Sequence, residues 1–337
     1  MNELEWKQKL KEELRFDRKH FSKIAFGLLL YLIIGEGLQI FIYVLLYMLH
    51  MGFLLSSTNF HMLLMIASMY CIALPITICY FKLVPRFGCV RREKWGWKAW
   101  LVVYLIGVSM AMIGNLIGNK VANIFGSSSA SFDSLIEMIF EGNLLLTYFT
   151  ICVGAPIAEE FIFRKLLIDR TIGYGEKMSV LISGILFGIV HGNFEQFFYA
   201  FALGCLFAYI YCKTGKIRNT ILFHMWINFR SSIISPLLMR PLEPWMQEIN
   251  LMNAEEMISS LVIEPAVLLI VILLSIYALI EVGFAFIGFV LFFVFKKYIC
   301  FYPGIRRLPK KLAFQVVLFN PGMILFLLLC LYEFCSY

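Results

Sequence analysis

Three short polar motifs interrupt the apolar middle of this chain, and the first contains two adjacent carboxylates and a guanidinium. Glu159, Glu160 and Arg164 stand where residues that face hydrocarbon are expected. Each such charge costs about 2.5–3.5 kcal/mol at the centre of a bilayer on insertion scales. The cluster therefore predicts a polar cavity inside the membrane, and the structural alternative is an ion-pair knot between helices.

The spacing within this motif assigns different roles to the two glutamates. Glu160 and Arg164 are four residues apart, so on a helix they are neighbours and can form an ion pair. Glu159 is rotated by about 100° from Glu160 around the helix axis. We therefore expect Arg164 to hold Glu160 ionised in a supporting role, which leaves Glu159 free to react.

The second and third motifs supply histidines and an amide. Phe187 and His191 are four residues apart, as are His224 and Asn228, so each pair shares one helix face. Taken alone, His191 is typical of a satisfied packing residue, and the His224/Asn228 pair is typical of polar contacts between membrane helices. Together the two motifs offer an acceptor and several N–H donors.

Counting from the basic ends of the segments places these groups at a similar depth. At about 1.5 Å per residue, Glu159 lies roughly 16 Å before Arg170, and Asn228 lies roughly 15 Å after Arg218. His224 is shallower and His191 is somewhat deeper. We expect the four side chains to converge on one cavity that opens to the cytoplasm.

Composition sets the architecture that must position these residues. The chain has 337 residues, of which 61% are hydrophobic and 15% are charged. This proportion exceeds what one soluble core can bury, so it predicts an all-α fold, a polytopic integral membrane helical bundle. The net charge of +7 falls in short Lys/Arg clusters between apolar spans, where it sets topology. No nucleic-acid partner is expected.

A window of about 20 residues per crossing predicts eight or nine transmembrane helices. The predicted spans are 24–49, 61–82, 99–119, 143–168, 178–197, 198–213, 219–239, 262–295 and 312–333. Basic segments follow the even-numbered spans, which places them and the N-terminus in the cytoplasm. The segment 262–295 is long for one crossing, so the number of crossings there stays open.

The three motifs together resemble a known family. Glu-Glu-x-x-x-Arg at 159–164, Phe-x-x-x-His at 187–191 and His-x-x-x-Asn at 224–228 follow one another on successive helices. In this order they resemble the CPBP family of CAAX proteases and bacteriocin-processing enzymes, also called type II CAAX prenyl endopeptidases or the Abi domain. The resemblance covers about 143–239 and implies an intramembrane endopeptidase.

The resemblance implies a role for each motif residue. Glu159 and His191 activate a water molecule, and a partly dehydrated carboxylate is a stronger base than one in water. His224 and Asn228 offer donors to the developing oxyanion. Glu160, Arg164 and Phe187 support this set. The catalytic residues are thus Glu159, His191, His224 and Asn228, and the supporting residues are Glu160, Arg164 and Phe187.

Three other functions are compatible with the same residues. Glu159, His191 and His224 are also a zinc ligand set, although there is no H-E-x-x-H pair, whereas the resemblance implies a glutamate-type enzyme without a cofactor. Buried carboxylates and histidines also build proton-coupled transporters, but the sequence shows no inverted repeat. The third alternative is a non-catalytic immunity protein.

The regions around the core complete the predicted organisation. Residues 1–23 form a basic amphipathic segment on the cytoplasmic membrane surface or a solvated charged tail. Membrane helices occupy 24–142 and 240–337, on either side of the catalytic core at 143–239. Membrane lipid and a membrane-associated peptide or prenylated protein are the expected partners. Short loops and the lack of an organellar targeting segment indicate a bacterial inner membrane, and nothing in the sequence indicates the oligomeric state.

Overall fold

The computed structural model describes residues 3–88, 90–125, 142–234, 237–238, 265–306 and 308–336. Within these ranges the backbone is almost entirely helical, and the one β-type contact is an isolated bridge between Gly175 and Pro303. The predicted class, an all-α polytopic membrane bundle, is confirmed. The helices are α1 Glu3–Met48, α2 Thr58–Phe81, α3 Trp97–Phe125, α4 Leu144–Tyr174, α5 Glu176–Ile189, α6 Phe194–Thr214, α7 Ile217–Phe229, α8 Pro265–Phe295, α9 Lys310–Leu318 and α10 Pro321–Ser336.

In the part of the chain that the structure describes, fewer helices are suited to crossing a membrane than the eight or nine predicted for the whole sequence. Six of the described helices are long and apolar enough to cross a membrane, or seven if α9 and α10, bent by 69°, form one span. Helix α5 has 14 residues, about 20 Å at 1.5 Å per residue, so it is shorter than the hydrocarbon core of about 30 Å. Helix α7 continues as the π-helical segment Arg230–Ile234, but it carries His224, Asn228 and Arg230 and is not among the helices apolar enough to cross a membrane. The prediction of eight or nine counted both as crossings.

The predicted boundary between the spans 178–197 and 198–213 was also misplaced. Helix α5 ends at Ile189, and Gly192 adopts a left-handed φ of +65°. Asn193 then caps α6, its Oδ1 accepting a hydrogen bond from the Gln196 amide at 2.9 Å. The apolar window extended through this turn because its flanking residues are as hydrophobic as the helices. By contrast, the open question at 262–295 is answered by α8, one continuous helix.

The N-terminal helix α1 extends over 46 residues without a break. The predicted surface segment 1–23 and the predicted first span 24–49 are therefore parts of one helix. Phe21, Ile24 and Leu28 of α1 are buried in the main hydrophobic core, which also contains residues of α2, α4, α5 and α10. Helix α1 thus connects the basic N-terminal region to the membrane core.

Glycines allow α3 and α5 to lie close to α6. A Cβ atom at Gly118 of α3 would lie 2.6 Å from the carbonyl oxygen of Glu195, and one at Gly114 would lie 2.5 Å from the Cα atom of Tyr199. On α5, a Cβ atom at Gly184 would lie 3.1 Å from the carbonyl oxygen of Phe201. Small residues at these positions let the helix backbones pack closely.

Charged residues form contacts at the end of α4, the start of α5 and the end of α6, on the side away from the turn at Gly192. Asp17 of α1 accepts hydrogen bonds from the Tyr174 hydroxyl and from Arg306, both at 2.7 Å. At the start of α5, Glu176 pairs with Lys213 of α6 at 2.6 Å. These contacts fix the helices that carry the polar motifs.

Candidate active site

The first motif lies in the middle of α4, with its two glutamates on a short α-helical stretch between two π-helical segments and Arg164 in the second of these. Ala155–Glu160 is α-helical, and Tyr148–Gly154 and Phe161–Leu166 on either side are π-helical. The wider turn is visible in the hydrogen bond from the Leu167 amide to the Ile162 carbonyl, five residues earlier, at 3.0 Å. Such segments are frequent at functional sites because they change which side chains share a face.

Glu160 and Arg164 form the predicted ion pair, and both side chains are completely buried. Arg164 binds both carboxylate oxygens, with Nε 2.9 Å from Oε2 and Nη2 3.1 Å from Oε1. Its Nη1 donates to the Ser183 hydroxyl on α5 at 2.7 Å, and that hydroxyl donates to the Phe163 carbonyl at 2.8 Å. The pair therefore joins α4 to α5.

His224 of α7 lies between the two glutamates. Its Nδ1 is 3.1 Å from Oε1 of Glu160, and its Nε2 is 3.8 Å from Oε2 of Glu159. Because Glu160 is paired with Arg164 and ionised, it accepts the hydrogen bond and Nδ1 donates. The Nε2 atom then faces Glu159.

Glu159 is the carboxylate that remains available, as the spacing predicted. Its side chain is 28% exposed, while that of Glu160 is fully buried. In the described part of the chain, its ion-pair contact is with Nε2 of His224, at 3.8 Å. An accessible carboxylate beside imidazole nitrogens can accept a proton from a bound water molecule.

His191 lies in the turn after α5, where its ring orientation is fixed. Its Nδ1 donates to the Phe187 carbonyl at 2.8 Å, which leaves Nε2 as an acceptor. The ring interacts electrostatically with Glu159 and with His224. The half-buried His191 is thus brought to the same place as the two glutamates.

Phe187 packs against Arg164 and against both histidine rings. Its ring centroid is 5.1 Å from that of His191 and 5.9 Å from that of His224, both edge-on. Arg164 lies over the ring, with Cζ 4.8 Å from the centroid. The Phe187 ring also packs against Gly204 of α6, where an added Cβ atom would lie 2.9 Å from the ring. The supporting role of Phe187 stays a prediction.

Asn228 contacts the π-helical part of α4. Its Nδ2 donates to the Ile151 carbonyl at 3.0 Å, while its side chain is half-buried. This contact uses one hydrogen of the Asn228 side-chain amide, and the other hydrogen remains available to a ligand. Asn228 and His224, one turn apart on α7, both bind α4, but neither has a hydrogen bond to His191 in the residues that the structure describes.

Three tyrosines complete the surroundings of Glu159, and the sequence analysis missed them. Tyr31 of α1, Tyr70 of α2 and Tyr199 of α6 all lie within range of the charge of the Glu159 carboxylate. The Tyr70 hydroxyl donates to the Thr150 carbonyl at 3.4 Å. Within the described ranges the other two hydroxyls have no hydrogen-bond partner. In the sequence, Tyr199 lies eight residues after His191 and so close to the second motif, whereas Tyr31 and Tyr70 are distant from every motif.

The zinc ligand set considered from the sequence stays a prediction. Among the described residues, no three His, Cys, Asp or Glu side chains are grouped so that they could hold a metal ion.

Comparison with known proteins shows which family this core is similar to. Residues 141–230 match the type II CAAX prenyl endopeptidase Rce1-like family, and they include all three motifs. The family resemblance stated from the motifs is confirmed for this domain.

Two curated bacterial proteins are similar to part of the chain. The putative membrane peptidase YdiL of Bacillus subtilis is 33% identical over 107 residues, which is 31% of this chain and 42% of YdiL. The membrane-embedded CAAX protease MroQ of Staphylococcus aureus is 23% identical over 132 residues, which is 37% of this chain and 53% of MroQ. The chain thus spans about half the length of these relatives or less. No solved structure matches it significantly.

Proposed function

We propose that this protein is an intramembrane endopeptidase in which Glu159 acts as the general base. The observation that carries the proposal is the unequal state of two adjacent carboxylates. Glu160 is buried against Arg164 and His224, whereas Glu159 is partly exposed and has only a 3.8 Å contact with His224. The match of this region to a CAAX protease family supports the same function.

The proposed reaction is hydrolysis by an activated water molecule. A water held by Glu159 and by Nε2 of His191 gives its proton to Glu159, and its oxygen forms a bond to the scissile carbonyl carbon. The tetrahedral intermediate carries a negative oxygen. When it collapses, the C–N bond breaks and the proton on Glu159 goes to the leaving amine, so the enzyme returns to its starting state.

His224 and Asn228 are the proposed donors to the negative oxygen. Asn228 has one amide hydrogen left after binding Ile151. His224 donates through Nδ1 to Glu160, and in its doubly protonated form it also carries a hydrogen on Nε2.

The proposed substrates are membrane-associated peptides or prenylated CaaX-type proteins. The two relatives are named as a membrane peptidase and a membrane-embedded CAAX protease. We also propose that the N-terminus of this chain is cytoplasmic and that the site opens to that side of a bacterial inner membrane. Labelling of single cysteines introduced at exposed Lys9 and at Phe53 of the α1–α2 connection, in sealed vesicles, tests the orientation.

The function is tested by cleavage of a quenched prenyl-CaaX peptide and of a membrane-peptide library by the purified protein. We expect the wild type to cut a substrate and Glu159→Gln and His191→Ala to lose this activity while remaining folded. Glu36→Gln, which neutralises another carboxylate in a membrane helix, is the matched control and retains activity. If folded wild-type protein cuts nothing, transport or immunity becomes the better explanation.

Metal dependence is tested separately with a tight chelator. The glutamate mechanism predicts that prolonged treatment leaves the cleavage rate unchanged. Complete loss that zinc restores would establish instead a metalloprotease that uses Glu159, His191 and His224.

A further inference from the structure

A groove lies between the N-terminal part of α1 and helix α9, far from the glutamates of the active site. Its volume is about 440 Å³. Both its walls belong to regions outside the matched family domain, and the proposed peptidase reaction gives it no role.

One wall of the groove is positively charged. Lys7, Lys11, Arg15 and Arg18 line it from successive turns of α1, and all four are exposed. Lys7 pairs with Glu3. The other three have no ion-pair partner in the part of the chain that the structure describes, and no acidic residue lines the groove.

The floor of the groove is apolar. Leu10 and Leu14 of α1 face Leu312 and Val316 of α9 across it. Val316 is buried and the three leucines are half-buried. A basic wall above an apolar floor matches a ligand that has an anionic end and a hydrocarbon end.

The position of the groove is that of a membrane surface. Helix α1 continues without a break from the groove into its membrane-spanning part, and α9 is bent by 69° from the apolar helix α10. Trp6 and Phe314 carry exposed aromatic rings beside the groove. Aromatic residues and cations of this kind are typical of the headgroup region of a bilayer.

We propose that this groove binds an anionic phospholipid. The phosphate group contacts Lys11, Arg15 and Arg18, and an acyl chain lies over the leucines. Charge complementarity favours an anionic headgroup, and the apolar floor favours a lipid over a free anion. The site would hold one lipid at a defined place against α1 and α9.

The proposal is tested by native mass spectrometry of the full-length protein in detergent with added phosphatidylglycerol or phosphatidylcholine. We expect the wild type to retain one phosphatidylglycerol and to bind phosphatidylcholine much more weakly. Lys11→Gln/Arg15→Gln should bind phosphatidylglycerol about thirtyfold more weakly, since each cation near an anionic surface contributes about fivefold.

Lys9→Gln/Lys19→Gln is the matched control, because it removes the same charge from the same helix outside the groove. It should bind phosphatidylglycerol like the wild type. Equal losses in both double variants, or equal retention of the two lipids, would overturn the proposal. Full competition by glycerol phosphate would indicate a free-anion site, and displacement by an acidic peptide would indicate a protein partner. Either result would also overturn it.

Lipid retention does not require peptidase activity, so Glu159→Gln should bind the lipid normally.

Discussion

Two clusters of buried charge within the matched domain differ in how completely their carboxylates are bonded. At the start of α5, Glu176 uses both oxygens: Oε2 binds Lys213 at 2.6 Å and the Tyr302 amide at 3.0 Å, and Oε1 lies 3.7 Å from Arg91. In the middle of α4, Glu160 is equally well bonded, but the adjacent Glu159 is not.

This difference shows what distinguishes a candidate site from a structural ion pair. The side chain of Glu176 is 6% exposed and that of Glu159 is 28% exposed. Both clusters bring charges into a mainly apolar fold, so burial of charge alone does not identify a reactive group. An accessible carboxylate that its neighbours leave incompletely bonded is the more informative observation.

The largest effect is expected when glutamate is replaced by glutamine, and the two clusters should respond differently to this substitution. Glu159→Gln should lower kcat by about 10²–10⁴, the usual contribution of a general base, with little change in thermal stability. Glu176→Gln should lower stability and leave the kcat of the folded protein near wild type. Peptide cleavage and thermal unfolding, measured on the same preparations, check both. Similar losses of kcat in the two variants would remove the distinction.

Breaking the buried pair beside Glu159 should have the next largest effect. Arg164→Met leaves Glu160 uncompensated in the interior, and we expect a loss of about 3–5 kcal/mol in the free energy of unfolding. Glu160→Gln/Arg164→Met removes both charges and should recover part of this loss. Unfolding in detergent measures the difference, and a double variant less stable than Arg164→Met would contradict the pairing.

The cluster at Glu176 should tolerate the loss of its cation better. Lys213→Met leaves Glu176 with the Tyr302 amide and Arg91, so we expect a destabilisation of about 1.5–3 kcal/mol, typical of one hydrogen bond to a charged group. The folded fraction should cleave peptide at the wild-type rate. A selective loss of kcat at unchanged stability would place Lys213 in the reaction and blur the comparison.

The smallest effect is expected from the tyrosines that surround Glu159. Tyr199→Phe removes one hydroxyl near the carboxylate and should reduce kcat/KM by about two- to tenfold, equivalent to about 0.5–1.5 kcal/mol. Tyr209→Phe on the same helix is the control, since Tyr209 lies near the Glu176 cluster. Equal effects of the two substitutions on kcat/KM would argue against a role for Tyr199 in the site.

Helical spacing predicted the relations within each motif, and depth along the helices predicted that the motifs converge, but neither predicted the hydrogen bonds between motifs. The Glu160–Arg164 pair and the free Glu159 follow from residues one turn apart on one helix, and the structure contains both. The hydrogen bond from His224 to Glu160 and the contact of Asn228 with Ile151 depend on how α7 lies against α4. Periodicity describes one helix at a time, so it does not determine these partners.

The predicted boundary between the spans 178–197 and 198–213 was misplaced for a related reason. Hydropathy measures how apolar a segment is, and the residues around Gly192 are apolar even though the backbone turns there. Tyr31 and Tyr70 were missed because they are distant in sequence and carry no motif. Their proximity to Glu159 arises only when α1 and α2 pack beside α4.

The two π-helical segments of α4 change how relatives of this chain should be aligned. A π turn contains about one residue more than an α turn, so the residues before Tyr148 and those after Leu166 are out of phase on an ordinary helical wheel. A homologue that lacks one residue on either side of the Glu-Glu motif need not have lost the site. Its gap would mark a helix of regular pitch, with the flanking apolar residues moved to a different face while the two glutamates stay together.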